Sequence, residues 1–180
     1  MRPAEFDKAL RGHVERARRN WLDHARSDDP DTPDYVPLLV VRTKRAEYII
    51  PLPGYDRDSK HELLQRTGFL FYQRRREKVQ AVFFVAESWM APATGDVIRH
   101  VRRGGGVAEL TDHRREVLFV SGLQPNGTGN AAYLDIIRSE SGEATLGEAT
   151  YLPEDVGREL VFATLGRFYD GYRIARGAQR

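Results

Sequence analysis

The stretch Lys78-Val-Gln-Ala-Val-Phe-Phe-Val-Ala-Glu-Ser-Trp-Met-Ala91 decides the fold class that this sequence predicts. Its apolar side chains alternate, and they fall on both faces of the strand that the alternation indicates. One face carries Val79, Ala81, Phe83 and Val85, and the other carries Val82, Phe84 and Ala86. A strand that is apolar on both faces is usually central in its sheet and covered on both sides. We therefore expect a central strand that leaves the core at Glu87.

Residues 3–26 are predicted to form an amphipathic helix, because apolar residues recur there at helical spacing. The stripe consists of Phe6, Leu10, Val14, Ala17, Trp21 and Ala25. The other faces mix basic and acidic side chains, so the helix either packs on the sheet, binds nucleic acid or docks on a partner as a detachable arm. Packing on the sheet is favoured, since the interspersed acids weaken the positive field. Residues 27–34, rich in aspartate and proline, are predicted to be a solvated linker.

Two strands and a helix are predicted between that linker and the central strand. The strands span residues 36–42 and 47–52, joined as a hairpin. Ser59 and Glu62 match a capping box, so we expect a helix to start there. Gly68 is expected to let this helix approach the sheet closely. The helix ends at Arg74–Arg76, whose charges suit the negative end of the helix dipole, and phosphate contact is the alternative.

Residues 89–112 show little periodicity, with a single short helical turn indicated at residues 97–101. Irregular segments of this length are uncommon in compact domains, and they tend to be functional or disordered. Arg102 and Arg103 precede three glycines, a weak indication of anion binding that lacks the spacing of a nucleotide-binding loop.

The last third of the chain predicts a β-meander and a final helix. Strands are expected at residues 116–123, 131–138 and 144–151, separated by glycine-containing turns. The helix begins after Pro153, and its predicted buried stripe is Val156, Leu160, Val161, Thr164, Leu165 and Phe168. The fold class is therefore α+β, with a mostly antiparallel sheet of about six strands packed by three main helices.

Composition excludes several classes of protein. The 180 residues fit a single domain, in which the first helix and the acidic linker could form an arm. The absence of cysteine rules out disulfides, thiolate metal ligands and a cysteine nucleophile, and it predicts a reducing, cytoplasmic location. The net charge of +2 is far from the basic excess of most nucleic-acid binders. No stretch approaches the ~20 apolar residues of a membrane helix, so no membrane partner is predicted.

Polar residues are expected to gather at one rim of the sheet if the central strand pairs antiparallel with the strand at residue 116. Glu87 would then lie near Asp112, His113 and Glu116. Three interpretations remain: a hard divalent cation held by these four residues, a Glu87 general base whose pKa Trp89 raises, or a cross-strand Glu–Arg ion pair with Trp89 capping the core. The ion pair is favoured, because the spacing is not diagnostic of a metal site. The remaining candidate binding residues are Trp89, Arg102, Arg103, Arg114 and Arg115.

At Glu87-Ser-Trp89, followed by Arg114-Arg-Glu-Val117, the sequence resembles a family of small, uncharacterised bacterial and phage-type proteins. Members pair an apolar strand ending in Glu-(Ala/Ser)-Trp with a later strand that starts with an Arg-Glu-Glu-like sequence. Val117 stands where that pattern has its second acid. The resemblance implies an α+β fold and brings no activity, cofactor or substrate with it.

The leading functional prediction is a cytoplasmic, non-enzymatic binding or protein-interaction domain, which recognises a protein partner or associates with itself. A small metal-dependent hydrolase or nuclease-like enzyme, with Glu87, His113 and Glu116 as catalytic candidates, is the second hypothesis. A nucleic-acid binder that uses the first helix and Arg74–Arg76 is the third. No cofactor and no metal ion is predicted.

Overall fold

The central feature of the molecule is one antiparallel sheet. The computed structural model describes residues 1–26, 35–56, 58–92, 94–141 and 143–178. These residues form six strands in the order β2-β1-β3-β4-β5-β6. The strands are β1 (Leu38–Thr43), β2 (Glu47–Pro51), β3 (Val79–Met90), β4 (Arg115–Leu123), β5 (Gly129–Arg138) and β6 (Ala144–Tyr151). The predicted α+β class and the antiparallel sheet are confirmed. The predicted acidic linker at residues 27–34 lies outside the described residues.

Helices cover both faces of the sheet. They are α1 (Pro3–Ala25), α2 (Lys60–Arg75), α3 (Gly95–Arg102) and α4 (Glu154–Gly177). The apolar stripe of α1 lies on one face, as the surface-helix interpretation expects, except that Ala25 at its end is exposed. Helices α2 and α4 cover the other face. None of the described helices has the length and apolar character that crossing a membrane requires.

Strand β3 lies in the middle of the sheet, between β1 and β4. Its apolar side chains enter the two cores as the alternation predicts, except Val79, which was expected on the Ala81 face and lies in the core under α2 and α4 because the pairing with β1 shifts register beside it. Ala81, Phe83 and Val85 pack with α1, whereas Val82, Phe84 and Ala86 pack with α2 and α4. Each core is closed by a covering helix layer, so β3 is buried on both faces from its start to Ala86.

The start of α2 differs from the predicted capping box. Ser59 precedes the helix, but its hydroxyl donates to the Gly54 carbonyl and makes no capping bond. The acceptor at this end is instead the Asp56 carboxylate, which receives the backbone N–H groups of Asp58 and Ser59, both at 2.8 Å. The capping prediction was wrong because the Ser59 hydroxyl is turned to the Gly54 carbonyl in the preceding turn, away from the first amides of the helix. The amide hydrogen bonds to Asp56 lower its pKa.

Two glycines bring α2 and α4 into backbone contact. A Cβ atom at Gly68 would lie well inside contact distance of the Phe168 carbonyl, and one at Gly171 would clash in the same way with the Gln65 carbonyl. Gly68 therefore allows a close approach to α4, and the predicted approach to the sheet was wrong. Only glycine lets two helix backbones come this near.

Two regions differ from their predictions, the segment 89–112 in its helix content and α4 in the side chains that it buries. The segment 89–112 contains α3 and a short 3₁₀ turn at Val107–Glu109, so it holds more helix than the single turn predicted. In α4, Val161, Leu165 and Phe168 are buried as predicted, but Val156 and Leu160 are 46% and 47% exposed. The helical period was right, but α2 and the sheet do not cover the first turns of α4 on that side.

Candidate functional site

The rim predicted from the sequence exists, because β3 and β4 pair antiparallel. Their register places Trp89 opposite Glu116 and Met90 opposite Arg115. Glu87 and Glu116 lie on neighbouring strands at the same end of the sheet. Their carboxylates, however, have separate partners.

The Glu87 carboxylate is held by α1, on the face of the sheet that this helix covers. The indole Nε1 of the buried Trp21 donates to Glu87 Oε1 at 2.5 Å. Burial, together with the negative charge of Glu87, raises the pKa of Tyr35 to about 12. The general-base interpretation expects Trp89 to raise the pKa of Glu87. The indole that contacts this carboxylate is instead that of Trp21. This bond ties the C-terminal part of α1 to the end of β3.

Glu116 forms an ion pair with Arg138 across β4 and β5. Arg138 Nε donates to one carboxylate oxygen at 2.9 Å, and Nη2 donates to the other at 2.8 Å. Such a two-bond arrangement is the strong form of an Arg–carboxylate pair. The hydrogen bonds to Glu116 raise the pKa of Arg138. The favoured interpretation, a cross-strand ion pair at the rim, holds here with Arg138 as the cation instead of Arg114 or Arg115.

The other polar side chains of the rim have partners of their own, separate from Glu87 and Glu116, or are exposed. The Arg114 guanidinium lies over the Trp89 indole, with Cζ 4.2 Å from the ring centroid, and it donates to the Ala108 carbonyl. Arg115 donates to the Tyr133 hydroxyl at 2.8 Å and pairs with Asp135. The side chains of Asp112 and His113 are exposed. Trp89 is thus covered on one face by a cation at the rim.

The rim does not assemble the groups that the metal hypothesis requires. Within the described part of the chain, no three His, Cys, Asp or Glu side chains are placed to hold a metal ion. Glu87 points to Trp21, Glu116 points to Arg138, and His113 joins neither. The chemistry that these residues support is structural pairing.

The three glycines after Arg103 surround a histidine. Gly105 packs against the imidazole of His100 so closely that a Cβ atom would collide with it, and Gly104 has a left-handed backbone with φ +88°. His100 Nε2 lies 3.1 Å from the Gly106 carbonyl and 3.2 Å from a Glu109 oxygen. The glycines thus close the end of α3, which accounts for them without a bound anion. The side chains of Arg102 and Arg103 are exposed beside them.

Beside this rim, a cleft of about 380 Å³ opens between the beginning of α2 and α4. That volume lies within the range of small-molecule and side-chain pockets. The floor is formed by the sheet, with Phe84, Ala86 and Phe119. Hydroxyl groups line it as well, from Ser88, Ser121 and Thr164. Its borders are Tyr55, Asp56, Lys60, Glu87, Trp89, Leu160 and Val161.

The cleft joins apolar surface to a few polar groups. Tyr55 packs on Phe84, with ring centroids 4.8 Å apart, and burial raises the pKa of Tyr55 to about 12. One oxygen of the Asp56 carboxylate accepts from the amides before α2, and the cationic Lys60 is the donor at this border. The exposed Leu160 and Trp89 extend the apolar surface outward.

Sequence reasoning identified Trp89 and Glu87 at the border but missed the cleft. One signal was available: Ser88 and Ser121 interrupt apolar positions that face α4. The register pairs Phe84 with Ser121 and Ala86 with Phe119, so these side chains form one patch on two neighbouring strands. The exposure of Leu160 could not be predicted from the sequence, because it depends on how much of α4 is covered by α2.

Comparison with protein-family models, with curated proteins and with solved structures finds no match to this chain. The resemblance drawn from Glu87–Trp89 and from 114–117 therefore stays a prediction.

Proposed function

We propose that this protein is a cytoplasmic, non-enzymatic binding domain whose cleft receives an apolar side chain of a partner protein. The observation that carries the proposal is the apolar floor of Phe84, Ala86 and Phe119, continued to the surface by Leu160 and Trp89. Exposed apolar surface that is continuous with a cleft is typical of a binding site.

The chemistry of the lining favours binding over catalysis. The two acidic residues closest to the cleft, Asp56 and Glu87, accept hydrogen bonds from the protein itself. The remaining polar groups are mainly hydroxyls, which orient a ligand but need an adjacent base to act as nucleophiles. Burying one leucine or phenylalanine side chain contributes about 1.5–3 kcal/mol, and the backbone around it supplies further contacts.

The hydrolase hypothesis has less support than this binding function. Its catalytic candidates, Glu87 and Glu116, are each paired with a donor, and His113 is exposed away from both. The nucleic-acid hypothesis relied on the basic surface of α1. Part of that surface is engaged within the protein, because Arg16 donates to Glu47 and Arg18 donates to the Gly147 carbonyl.

Selection from a random peptide library tests the proposal directly. Wild-type protein is compared with Leu160→Glu, which places a charge at the cleft border, and with Ile174→Glu as matched control. Leu160 and Ile174 are 47% and 53% exposed on the same helix, so neither change disturbs the core. We expect peptides with an apolar anchor that bind the wild type and Ile174→Glu but not Leu160→Glu. A selection in which no peptide distinguishes the two variants would contradict the proposal.

Fluorescence gives a second test on the purified protein. Trp89 lies at the cleft border, whereas Trp21 is buried on the other face of the sheet. A selected peptide should therefore change the emission of the wild type and leave that of Trp89→Phe nearly unchanged. A change that persists in Trp89→Phe would place the binding site elsewhere.

A further inference from the structure

Within the described part of the chain, strand β2 is an edge of the sheet, and the hairpin geometry identifies the backbone groups that it presents outward. Thr43 N–H donates to the Ala46 carbonyl at 2.9 Å, and Leu52 N–H donates to the Pro37 carbonyl at 2.8 Å. Hydrogen-bonded pairs alternate in an antiparallel ladder, so residues 48 and 50 bond to β1. The N–H groups of Glu47 and Ile49 therefore point away from the sheet.

A groove of about 470 Å³ runs between this free edge and α2. Tyr48 and Ile50 line its sheet side, and Thr67, Leu70 and Phe71 line its helix side. Leu70 is 37% exposed and Ile49 is 67% exposed. The groove thus combines apolar side chains with unpaired strand backbone along one line.

Positive charge gathers at the hairpin end of the groove. Arg74 and Arg75 line the groove itself, and an adjoining depression is lined by Lys44, Arg45, Arg75, Arg76 and Lys78. The acid in that depression, Glu77, accepts hydrogen bonds from the Thr43 and Tyr48 hydroxyls, both at 2.6 Å. These hydrogen bonds lower the pKa of Glu77, so it remains charged and its oxygens are engaged. The surrounding cations exceed in number this acid and Glu47, which lines the groove and already pairs with Arg16 and Arg42.

We infer that this groove binds an extended segment of a partner protein, apolar at its start and acidic at its end, which adds to β2 as a further strand. The apolar residues would lie beside Ile50 and Leu70, and the acids would reach Arg74, Arg75 and the hairpin lysine and arginine. Strand addition of this kind takes its affinity from backbone hydrogen bonds and its specificity from side-chain pockets. Antiparallel pairing is the more stable arrangement, and it places the acidic end at the hairpin.

The surface favours a peptide over a nucleic acid. Non-specific single-strand binding uses aromatic faces on which bases stack. The two aromatic rings of this groove are engaged within the protein: Tyr48 is covered by the Arg75 guanidinium at 4.7 Å and packs against Phe71 at 5.4 Å, and Phe71 is buried. Pro51, at the far end of β2, lacks a donor and limits the added strand to a short segment. The groove shares no lining residue with the cleft between α2 and α4, so this inference is independent of the proposed function.

Fluorescence anisotropy with a labelled synthetic peptide tests the inference. The probe is Val-Ile-Val-Thr-Glu-Asp-Glu, and its control carries lysine at the three acidic positions. We expect the acidic probe to bind, the lysine peptide not to bind, and added salt to weaken binding. Arg74→Glu and Leu70→Glu should each weaken binding about tenfold, which corresponds to the loss of one good contact.

Matched controls come from α4. Arg158→Glu changes an exposed helical arginine and Ile174→Glu an exposed helical aliphatic residue, both away from the groove. Both should bind the probe like the wild type. Equal weakening in the controls, or no binding of the acidic probe to the wild type at low salt, would overturn the inference.

Amide hydrogen exchange separates strand addition from simple charge attraction. On binding, the N–H groups of Glu47 and Ile49 should exchange at least about tenfold more slowly, because they donate hydrogen bonds to carbonyl groups of the added strand. Binding without that protection would overturn strand addition. A single-stranded oligonucleotide that displaces the probe at equal charge concentration would also overturn it, and would identify a general polyanion site.

Discussion

The two faces of the sheet are closed in different ways. One face is covered by a single helix, α1, whose buried stripe includes Phe6, Leu10 and Trp21, and polar contacts fix it to the sheet. The other face is covered by α2 and α4, which touch each other through Gly68 and Gly171. Both faces keep open space: the first has a depression of about 410 Å³ where α1 meets β1 and β2, lined largely by charged side chains such as Arg16, Arg42 and Glu47, whereas the cleft and the groove of the second face have apolar floors.

This difference follows from how the helices are positioned. Large side chains of α1 fill the space above the central strands β3 and β4, and the depression on this face lies to the side, over β1 and β2. Helices α2 and α4 are held together by the backbone contacts of Gly68 and Gly171, and glycine has no side chain that could adjust. Space remains beside this contact, at the cleft. We infer that the glycine contact keeps the cleft from collapsing, because closing it would require both helices to move together.

The largest expected effect comes from filling the glycine contact. Gly171→Ala should destabilise the protein by about 3 kcal/mol, because the added Cβ meets the Gln65 backbone and one helix must shift. Urea unfolding followed by circular dichroism measures this change. Gly177→Ala in the same helix is the control, since its Cβ would meet nothing within 4 Å. A loss of similar size in both variants would mean that the contact does not hold the helices.

The next effect concerns the polar contact that fixes α1. Trp21→Phe should cost about 2–3 kcal/mol, because hydrogen bonds to charged groups contribute about 1.5–3 kcal/mol and the Glu87 carboxylate would lose its donor. The control is Trp89→Phe, at the exposed rim, which should change stability by less than about 0.5 kcal/mol.

A double-mutant cycle sharpens that test. If the Trp21–Glu87 bond is responsible, Glu87→Gln should change stability much less in the Trp21→Phe background than in the wild type. Additive effects would show that Trp21 acts through packing alone.

Much of this comparison could be predicted from periodicity. The alternation in β3 predicts a strand buried on both faces, and the stripe from Phe6 to Trp21 predicts the face that α1 buries. The strand predicted at residues 144–151 matches β6 at both ends. Periodicity succeeds in these elements because it records which side of a strand or helix meets the core.

Contacts between distant residues could not be predicted in the same way. Trp21 and Glu87 are far apart in sequence, and neither residue signals the other. The same holds for Glu116 and Arg138, where the nearer arginines were the obvious candidates. The cleft depends on the relative position of two helices, and the exposure of Leu160 follows from that position. Local pattern therefore determines elements, whereas the candidate site arises from their arrangement.

A pH effect of about the size of the Trp21 change, or slightly smaller, is expected from His13 in the middle of α1. His13 is buried on Phe83, and burial, with the positive charges of Arg16 and Arg42, lowers its pKa from 6.5 to about 3. Glu47 lies 3.6 Å from Nε2, but its charge is shared with the same two arginines. His13 is therefore neutral in the folded protein at pH values where the unfolded chain binds a proton.

The sign follows from linkage: stability is retained above pH 6.5 and falls as the pH drops toward 3. Between pH 7 and pH 5, the wild type should lose about 2 kcal/mol through this residue, at 1.36 kcal/mol per pH unit. His13→Gln should remove most of that slope, and His113→Gln, an exposed histidine, should leave it unchanged. Urea unfolding at each pH measures both, and an unaltered slope in His13→Gln would contradict the assignment.

The smallest expected effect has the opposite sign and returns to the contrast between the faces. Gly12 lies in the middle of α1, and a Cβ there would meet nothing within 4 Å. Alanine at a helix interior is favoured over glycine by about 0.5–1 kcal/mol, so Gly12→Ala should stabilise the protein by that amount. Thermal unfolding resolves such a change. A stabilisation at Gly12 beside a loss at Gly171 would show that glycine is required where α2 and α4 meet but not at this position of α1. Destabilisation at Gly12 would instead mean that α1 also needs a close approach, and the contrast between the faces would not hold.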